Sequence, residues 1–376
     1  MNNKKPLSIA FIGGGLSSAV GHVHYNASRL DGYWRLIAGA FSRNAEINRL
    51  TAKEWNVASE HLYSDWRDLI EAEKSRIDAV ALLTPTPHHG EVLCALIDAN
   101  IPVICEKAMV DNLAEAEELL EMSRSKGHFL TVTFNYSAYP MVRELRERIL
   151  RGELGKIQQI QLEMPQEGLV RPPQIAGKSA PPQSWRLNDK FIPTICLDLG
   201  VHLHHLAYFL TGEIEMSVNA EFKTFSNFGV VDDVMLWTRY ASGTSASYWM
   251  TKTAIGNRNG LRVRLMGTDA SAEWYQQEPE KLKLSSIDGS HCSIDRGGQA
   301  ILAGEGRYNR MKVGHPSGFI EAFANLYADS AEAYWEWKKE GKFSSPYAFD
   351  ASVAVDGLKL FHRAKESYQE QVWKEI

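Results

Sequence analysis

Leu7–Ser8–Ile9–Ala10–Phe11–Ile12 runs directly into Gly13–Gly14–Gly15, and the reading of that junction decides the fold. The apolar run is short and does not alternate with polar residues, as expected of a strand covered on both faces. Gly13, Gly15 and Ser18 then fall at the spacing of a dinucleotide-binding loop. In such a loop the first glycine makes the tight turn and the second lets main chain approach a pyrophosphate. The helix predicted from Ala19 to Leu30 would add free amides and a favourable dipole. Ser18 replaces the third glycine and is small enough for close helix–strand packing. A glycine triplet also fits an ordinary turn, so the reading leans on the pattern of the next hundred residues.

Strand and helix go on alternating. Trp34 to Phe41 is a second apolar run, succeeded by a helical stretch from Ala45 to Trp55. Asp78 to Leu83 reads as a third strand, stopped by Pro85 and Pro87. His88 to Ala99 places Val92, Leu93, Leu96 and Ile97 at helical spacing. A strand from Pro102 to Cys105, a helix from Leu113 to Arg124 and a strand from Phe129 to Phe134 complete the series. Short strands separated by helices predict crossover units and a mostly parallel sheet. This is an α/β Rossmann-type domain over residues 1–135.

After Gly155 the pattern changes. Lys156–Met164, Val234–Tyr240, Ser245–Met250 and Leu261–Met266 read as strands. The last three have no helix between them, which predicts an open, mainly antiparallel sheet. Pro165 to Pro182 holds five prolines and two glycines and reads as a loop. Ile320–Lys338 and Tyr347–Glu370 read as long helices. Residues 136–376 are therefore expected to form an α+β domain for substrate binding and oligomerisation, with the C-terminal helices packing back on the first domain.

Composition narrows the function classes. A chain of 376 residues suits two domains. Forty-one basic residues against forty-six acidic ones give a net charge of −5, with no basic block dense enough for nucleic acid. Cys94, Cys105, Cys196 and Cys292 are too scattered for a disulfide scaffold or a structural zinc site. The polar start, Met1 to Pro6, and the short run Leu7–Ile12 suit neither a signal core nor a membrane span. The expected location is the cytoplasm, and no membrane partner is expected.

Three places carry candidate chemistry. After the second strand, Ser42–Arg43 stands where an acidic residue would hold the ribose of NAD, with no acid before Glu46. Serine and arginine receive a 2′-phosphate, so the pair leans to NADP, although an arginine there also fits a plain surface role. After the third and fourth strands come Thr84–Pro85–Thr86–Pro87–His88–His89 and Cys105–Glu106–Lys107–Ala108, at the strand ends where open parallel sheets bind ligands. Further on, Asp198, His202 and His205 share one face if their segment is a regular helix, and His204 points elsewhere. Satisfied structural histidines, a divalent metal site and an organic acid/base pair all remain open for that face. The metal reading is the weaker one, because a dinucleotide already supplies the electron chemistry.

Taken together, these motifs resemble the Gfo/Idh/MocA oxidoreductases, of the glucose–fructose oxidoreductase and inositol dehydrogenase type. The resemblance rests on Gly13–Gly15, on Thr84–Pro85 before His88, and on Cys105–Glu106–Lys107 where the family has Glu–Lys–Pro. It also rests on Asn135–Tyr136, the turn Arg151–Gly152–Glu153–Leu154–Gly155, and Asp198 with His202. It covers essentially the whole chain and implies a dehydrogenase working on a small polyhydroxylated substrate, a sugar, sugar derivative or cyclitol. The cofactor it implies is NAD(P), held by Gly13, Gly15, Leu16, Ser18, Ser42, Arg43, Thr84, Pro85, His88, Glu106 and Lys107. The implied catalytic set is Lys107, Asp198 and His202, with Ala108 departing from the family's proline. The resemblance implies that Trp185–Arg186 faces the substrate, Arg186 also fitting an interdomain salt bridge, and Tyr136, Glu163, His205 and His315 are further substrate-facing candidates. No metal is expected, and the family's open sheet implies a homodimer or homotetramer. Two other classes stay open: a hydrolase or lyase that oxidises its sugar transiently, and a non-catalytic nucleotide or sugar sensor.

Overall fold

The computed structural model describes residues 5–18, 20–171, 174, 175, 178, 179 and 182–376. The expected helix start at Ala19, the polar start Met1–Lys4 and six residues of the proline-rich stretch (Pro172, Pro173, Ala176, Gly177, Ala180 and Pro181) lie outside the described residues. The chain forms two compact units, Met1–Ala138 with Phe319–Val355, and Tyr139–Gly318 with Asp356–Ile376.

In the first unit β1 (Leu7–Gly13), α1 (Gly21–Leu30), β2 (Trp34–Ala40), α2 (Ala45–Glu54), α3 (Trp66–Glu73), β3 (Ala79–Leu83), α4 (His89–Asp98), β4 (Val103–Cys105), α5 (Leu113–Ser125) and β5 (Leu130–Val132) succeed one another. The strands form a parallel sheet in the order β2-β1-β3-β4-β5, the expected crossover topology. Every residue of β3 and β4 is buried, which explains their unbroken apolar runs. Helix α3 is an addition to the expected elements; Asp65 caps it by accepting from Arg67 N. A long helix, Phe319–Glu340, lies on α1. Its Tyr327 carbonyl accepts from the Trp34 indole at 2.9 Å, and its Tyr334 hydroxyl donates to Asp78 at 3.1 Å. Ile9, Phe11, Ile104, Phe129 and Tyr327 are nearly inaccessible in this core, each large side chain contributing roughly 1.5–3 kcal/mol by leaving water.

The second unit opens with α6 (Pro140–Leu150), a further unexpected helix whose Pro140 occupies the first helical position. Then come β6 (Ile157–Pro165), the two-residue strands β7 (Gln174–Ile175) and β8 (Lys178–Ser179), α7 (Val201–Thr211), β9 (Ser217–Lys223), β10 (Asp233–Arg239), β11 (Ser245–Thr251), β12 (Arg262–Gly267), β13 (Ala270–Tyr275), β14 (Leu282–Ser286) and β15 (His291–Ile294). The long helix Phe319–Glu340 is α8; α9 (Ala351–Glu370) and β16 (Lys374–Glu375) end the chain. The nine-stranded sheet runs β15-β14-β13-β12-β6-β11-β10-β9-β16, antiparallel except for the parallel pair β6–β11.

Its two faces differ sharply. Leu236, Tyr248, Leu162, Val263, Trp274 and Leu282 form one buried row across six strands. The next row, pointing the other way, is Met235, Trp249, Glu163, Arg262 and Tyr275, mostly half-buried or exposed. No helix of the described residues is long and apolar enough to cross a membrane.

Candidate active site

The glycine loop is tighter than its motif suggested. Gly13 and Gly14 have φ of +82° and +73°, and a Cβ on Gly13 would lie 2.6 Å from Thr84 N. Helix α1 begins at Gly21, and a Cβ there would stand 1.8 Å from the Gly14 carbonyl oxygen. Gly21, not Ser18, is therefore the residue of close helix approach. Ser18 lies inside the turn, its amide donating to Gly15 O at 2.7 Å and its hydroxyl accepting from Val20 N at 3.3 Å. Leu16 N donates to Thr51 Oγ1 at 3.1 Å, tying the loop to α2.

Beyond β2, Asn48 Oδ1 accepts from Phe41 N at 2.8 Å and from Ser42 N at 3.2 Å. This side chain shapes the loop that presents Ser42 and the exposed Arg43. Arg43 forms no ion pair among the described residues. Asn44 caps α2 by accepting from Glu46 N and Ile47 N.

At the ends of β3 and β4 the organising residue is His89, whereas the sequence reading singled out His88. His88 is exposed. His89 is buried, with Nε2 2.6 Å from Thr84 O and Nδ1 3.1 Å from both Ala108 O and Met109 O. One imidazole thus joins the Thr84–Pro85 loop to the Lys107 loop, and burial lowers its pKa below the ordinary histidine value. The Lys107–Ala108 peptide bond is cis. Beside it Glu106 is buried, its Oε1 accepting from His24 Nε2 at 3.1 Å and from the Thr133 hydroxyl. His24 Nδ1 lies 2.8 Å from the Tyr327 hydroxyl. Burial alone would raise the Glu106 carboxyl; the hydrogen bonds and charges of His24, Lys107 and Thr133 outweigh it and hold the group below the usual carboxylate range.

These residues fit a dinucleotide. The positive-φ glycines leave a cradle of bare main chain. Two buried polar atoms at strand ends, Thr84 Oγ1 after β3 and Asn135 Nδ2 after β5, have no hydrogen-bond partner among the described residues. Buried polar groups are almost always satisfied, so such atoms mark where a ligand would complete them.

In the second unit, Asp198 lies in a π-helical segment, Cys196–Gly200, that runs into α7. The regular helix assumed from Asp198 to His205 is corrected here: Asp198 sits in the π segment, with its wider i→i+5 turn, and His202 in the α-helix that follows. Gly200 permits the distortion to pack, since a Cβ there would meet Phe361 at 2.6 Å and Met250 at 3.0 Å. Both Asp198 oxygens are engaged. Arg186 donates through Nη2 to Oδ1 at 3.0 Å and through Nε to Oδ2 at 3.3 Å. Lys252 Nζ donates to Oδ2 at 2.7 Å. Arg186 is delivered by the turn Ser184–Leu187, which Thr194 ties to the helix start by donating its hydroxyl to Arg186 O at 2.9 Å. The guanidinium also stacks 4.2 Å from the Trp185 ring. Its partner is thus the site carboxylate of its own unit rather than a bridge between domains.

The histidines of α7 separate. His202 and His205 are buried; His205 stacks on Phe209, and burial, then the neighbouring His204, push its pKa well below the ordinary value. His204 points away into a buried cluster, with Nδ1 3.0 Å from Glu215 Oε2 and the Tyr240 and Tyr248 hydroxyls on Oε1. Glu163 does not join Asp198. It pairs with Arg264 at 3.3 Å and Arg262 at 3.6 Å on the open face, opposite the face whose Met250 packs towards Gly200. Tyr136 is buried in the first unit against Phe319, and His315 is exposed in the second, its carbonyl accepting from Arg296 at 3.1 Å. Among the described residues no group of three or more His, Cys, Asp or Glu is placed to hold a metal ion.

Two family models match this chain. Residues 7–134 match the oxidoreductase family with an NAD-binding Rossmann fold, and residues 142–273 match the GFO/IDH/MocA C-terminal domain. The uncharacterised oxidoreductase YfiI of Bacillus subtilis strain 168 is 26% identical over 99% of this chain and 97% of its own length. The levoglucosan dehydrogenase of Pseudarthrobacter phenanthrenivorans is 25% identical over 74% of this chain and 76% of its own. An inositol dehydrogenase homologue from Azotobacter vinelandii, solved with NADH and myo-inositol, superposes with a TM-score of 0.88 at 26% identity, covering 99% of this chain and 98% of that one.

Proposed function

The chain belongs to the Gfo/Idh/MocA family of oxidoreductases, and from that premise we propose that it oxidises a hydroxyl-bearing ring carbon of a sugar, sugar derivative or cyclitol with NAD(P), and catalyses the reverse reduction. The observation that carries the reading is the strand-end cluster of Thr84, Glu106 and Lys107, clamped by His89 and His24 beside a glycine cradle. The nicotinamide, when bound, takes up or returns the hydride. Lys107 donates a hydrogen bond to the reacting oxygen and stabilises its developing negative charge. His202 takes the hydroxyl proton in oxidation and returns it in reduction. Asp198 accepts from a substrate hydroxyl, while Arg186 and Trp185 present a guanidinium and an aromatic face; Tyr136 and His315 are further candidates. The deciding experiment is a panel of aldoses, sugar acids, glycosides and cyclitols, including myo-inositol and levoglucosan, assayed with NAD⁺ and NADP⁺ by nicotinamide absorbance. Absence of turnover across the panel with either nucleotide would reject the reading.

For the nucleotide we read a preference for NADP, supported by the exposed Arg43 and by Asn48 rather than an acid fixing the loop after β2. Arg43→Ala should weaken NADP binding more than NAD binding, by about 1–3 kcal/mol for the loss of a charged hydrogen bond. Fluorescence titration of both reduced nucleotides measures this, and equal losses would discard the preference.

We also propose a homo-oligomer formed through the open sheet face. Met235 and Trp237 are exposed there beside the charged ladder of Glu163, Arg262, Arg264, Glu273 and Lys283. Exposed tryptophan and methionine ringed by charge suit a protein interface. Light scattering should give two or four times the chain mass, and a monomer at micromolar concentration would refute it.

A further inference from the structure

Lys252 lies at the Asp198 carboxylate, and neither motif nor resemblance pointed to it. It comes directly after β11, an interior strand between β10 and β6. Its main chain is pinned on both sides, the amide donating to Asp232 O at 2.8 Å and the carbonyl accepting from Leu169 N at 3.0 Å. Its side chain is only 9% exposed. Lysine is almost never buried to this degree unless paired, because stripping an ammonium of water costs several kcal/mol. An ammonium has three donors, and among the described residues Asp198 is its sole hydrogen-bond partner.

We propose that Lys252 is a positioning residue of the active site: with Arg186 it fixes the Asp198 carboxylate as an acceptor for a substrate hydroxyl. The proposal rests on the reading of Asp198 as a substrate-side residue. Arg186 grips the carboxylate from one side through two N–H groups, and Lys252 meets Oδ2 from a rigid strand end. A carboxylate between two cations has little affinity for a proton. It therefore serves poorly as the base, and the proton falls to His202. Two cations against one carboxylate also leave the trio positive, which favours negative charge developing on a nearby substrate oxygen.

The test compares Lys252→Met, Lys252→Arg and Asp198→Asn in the full chain, using whichever panel member is turned over fastest. Each variant is first checked for folding by thermal melting and for NAD(P)H binding by fluorescence. Lys252→Met should lose about tenfold or more in kcat/KM, the scale of one charge-assisted contact. Removing a cation from beside the site lets the neighbouring base hold its proton to higher pH, so the acid limb of the kcat/KM profile, which reports His202, should move up. Lys252→Arg, which keeps the charge, should recover part of the rate and keep the limb in place. If Lys252→Met does not fold, Lys252→Gln, which can still donate to Asp198, carries the same pH test. Parental kcat/KM with an unmoved acid limb overturns the proposal, as does a loss confined to melting temperature. Asp198→Asn separates the two levels. If it retains parental turnover, the assignment of Asp198 to the site has failed. If it is inactive while Lys252→Met is parental, only the role of Lys252 has failed.

Discussion

His202→Ala should lower kcat by roughly 10²–10⁴, the usual contribution of a positioned acid or base. The residue is buried on α7, next to the distorted turn that carries Asp198. Two neighbouring groups are poor substitutes. Burial, then His204, lowers the pKa of His205 and makes it a weak base, and Asp198 is committed to Arg186 and Lys252. The variant should bind NAD(P)H like the parent, because the glycine cradle belongs to the other compact unit. The loss must appear in kcat as well as kcat/KM, the signature of an interaction made in the transition state. A folded, nucleotide-binding His202→Ala enzyme within about threefold of the parent, far short of a positioned base, would place the proton transfer elsewhere.

Lys107→Met should cost on the order of 2–4 kcal/mol of transition-state stabilisation, by analogy with removing one oxyanion donor. Methionine keeps most of the side-chain length and removes the charge. The loop should hold its shape, since His89 grips Ala108 O and Met109 O and Glu106 remains bonded to His24 and Thr133. The defect should therefore lie in chemistry, with melting temperature little changed. Steady-state rates of the single and double variants give a further check. If Lys107 and His202 serve one oxygen, their losses combine to less than the sum in free energy. Strict additivity would separate their roles.

Much of the fold was legible because β1, β3 and β4 are buried on both faces and leave unbroken apolar runs. Beyond residue 215, β10, β11 and β12 were legible from their patterning, and β9, β13, β14 and β15 were not. β14, Leu282–Ser286, and β15, His291–Ile294, are short and largely exposed, so they bury too little to impose a pattern. The close-packing residue was misassigned because the motif spacing put it at Ser18, while the chain brings Gly21, the first residue of α1, against Gly14 of the loop. At the site, Lys107, Asp198 and His202 came from motif and resemblance. His89 and Lys252 did not, for different physical reasons. His88 and His89 are adjacent and chemically identical, and only the helix start decides which one turns inward. Lys252 carries no local signal at all, since a lysine after a strand is ordinarily a solvated end. Only the packing of β11 against the π segment brings it to a carboxylate 54 positions away.

The anchoring of the first unit has an evolutionary corollary. The loop after β2, proposed to meet the adenosine end of the dinucleotide, hangs from α2 through Asn48. The lysine loop hangs from α1 and α4 through His24 and His89, and α1 is locked to the glycine turn by Gly21. The two loops proposed to meet the ends of the nucleotide are thus separately tethered pieces of backbone. On the proposed assignments, selection for a different coenzyme can act on Ser42 and Arg43 without retuning the Lys107 amine, so the two traits are free to drift apart among descendants of one ancestor.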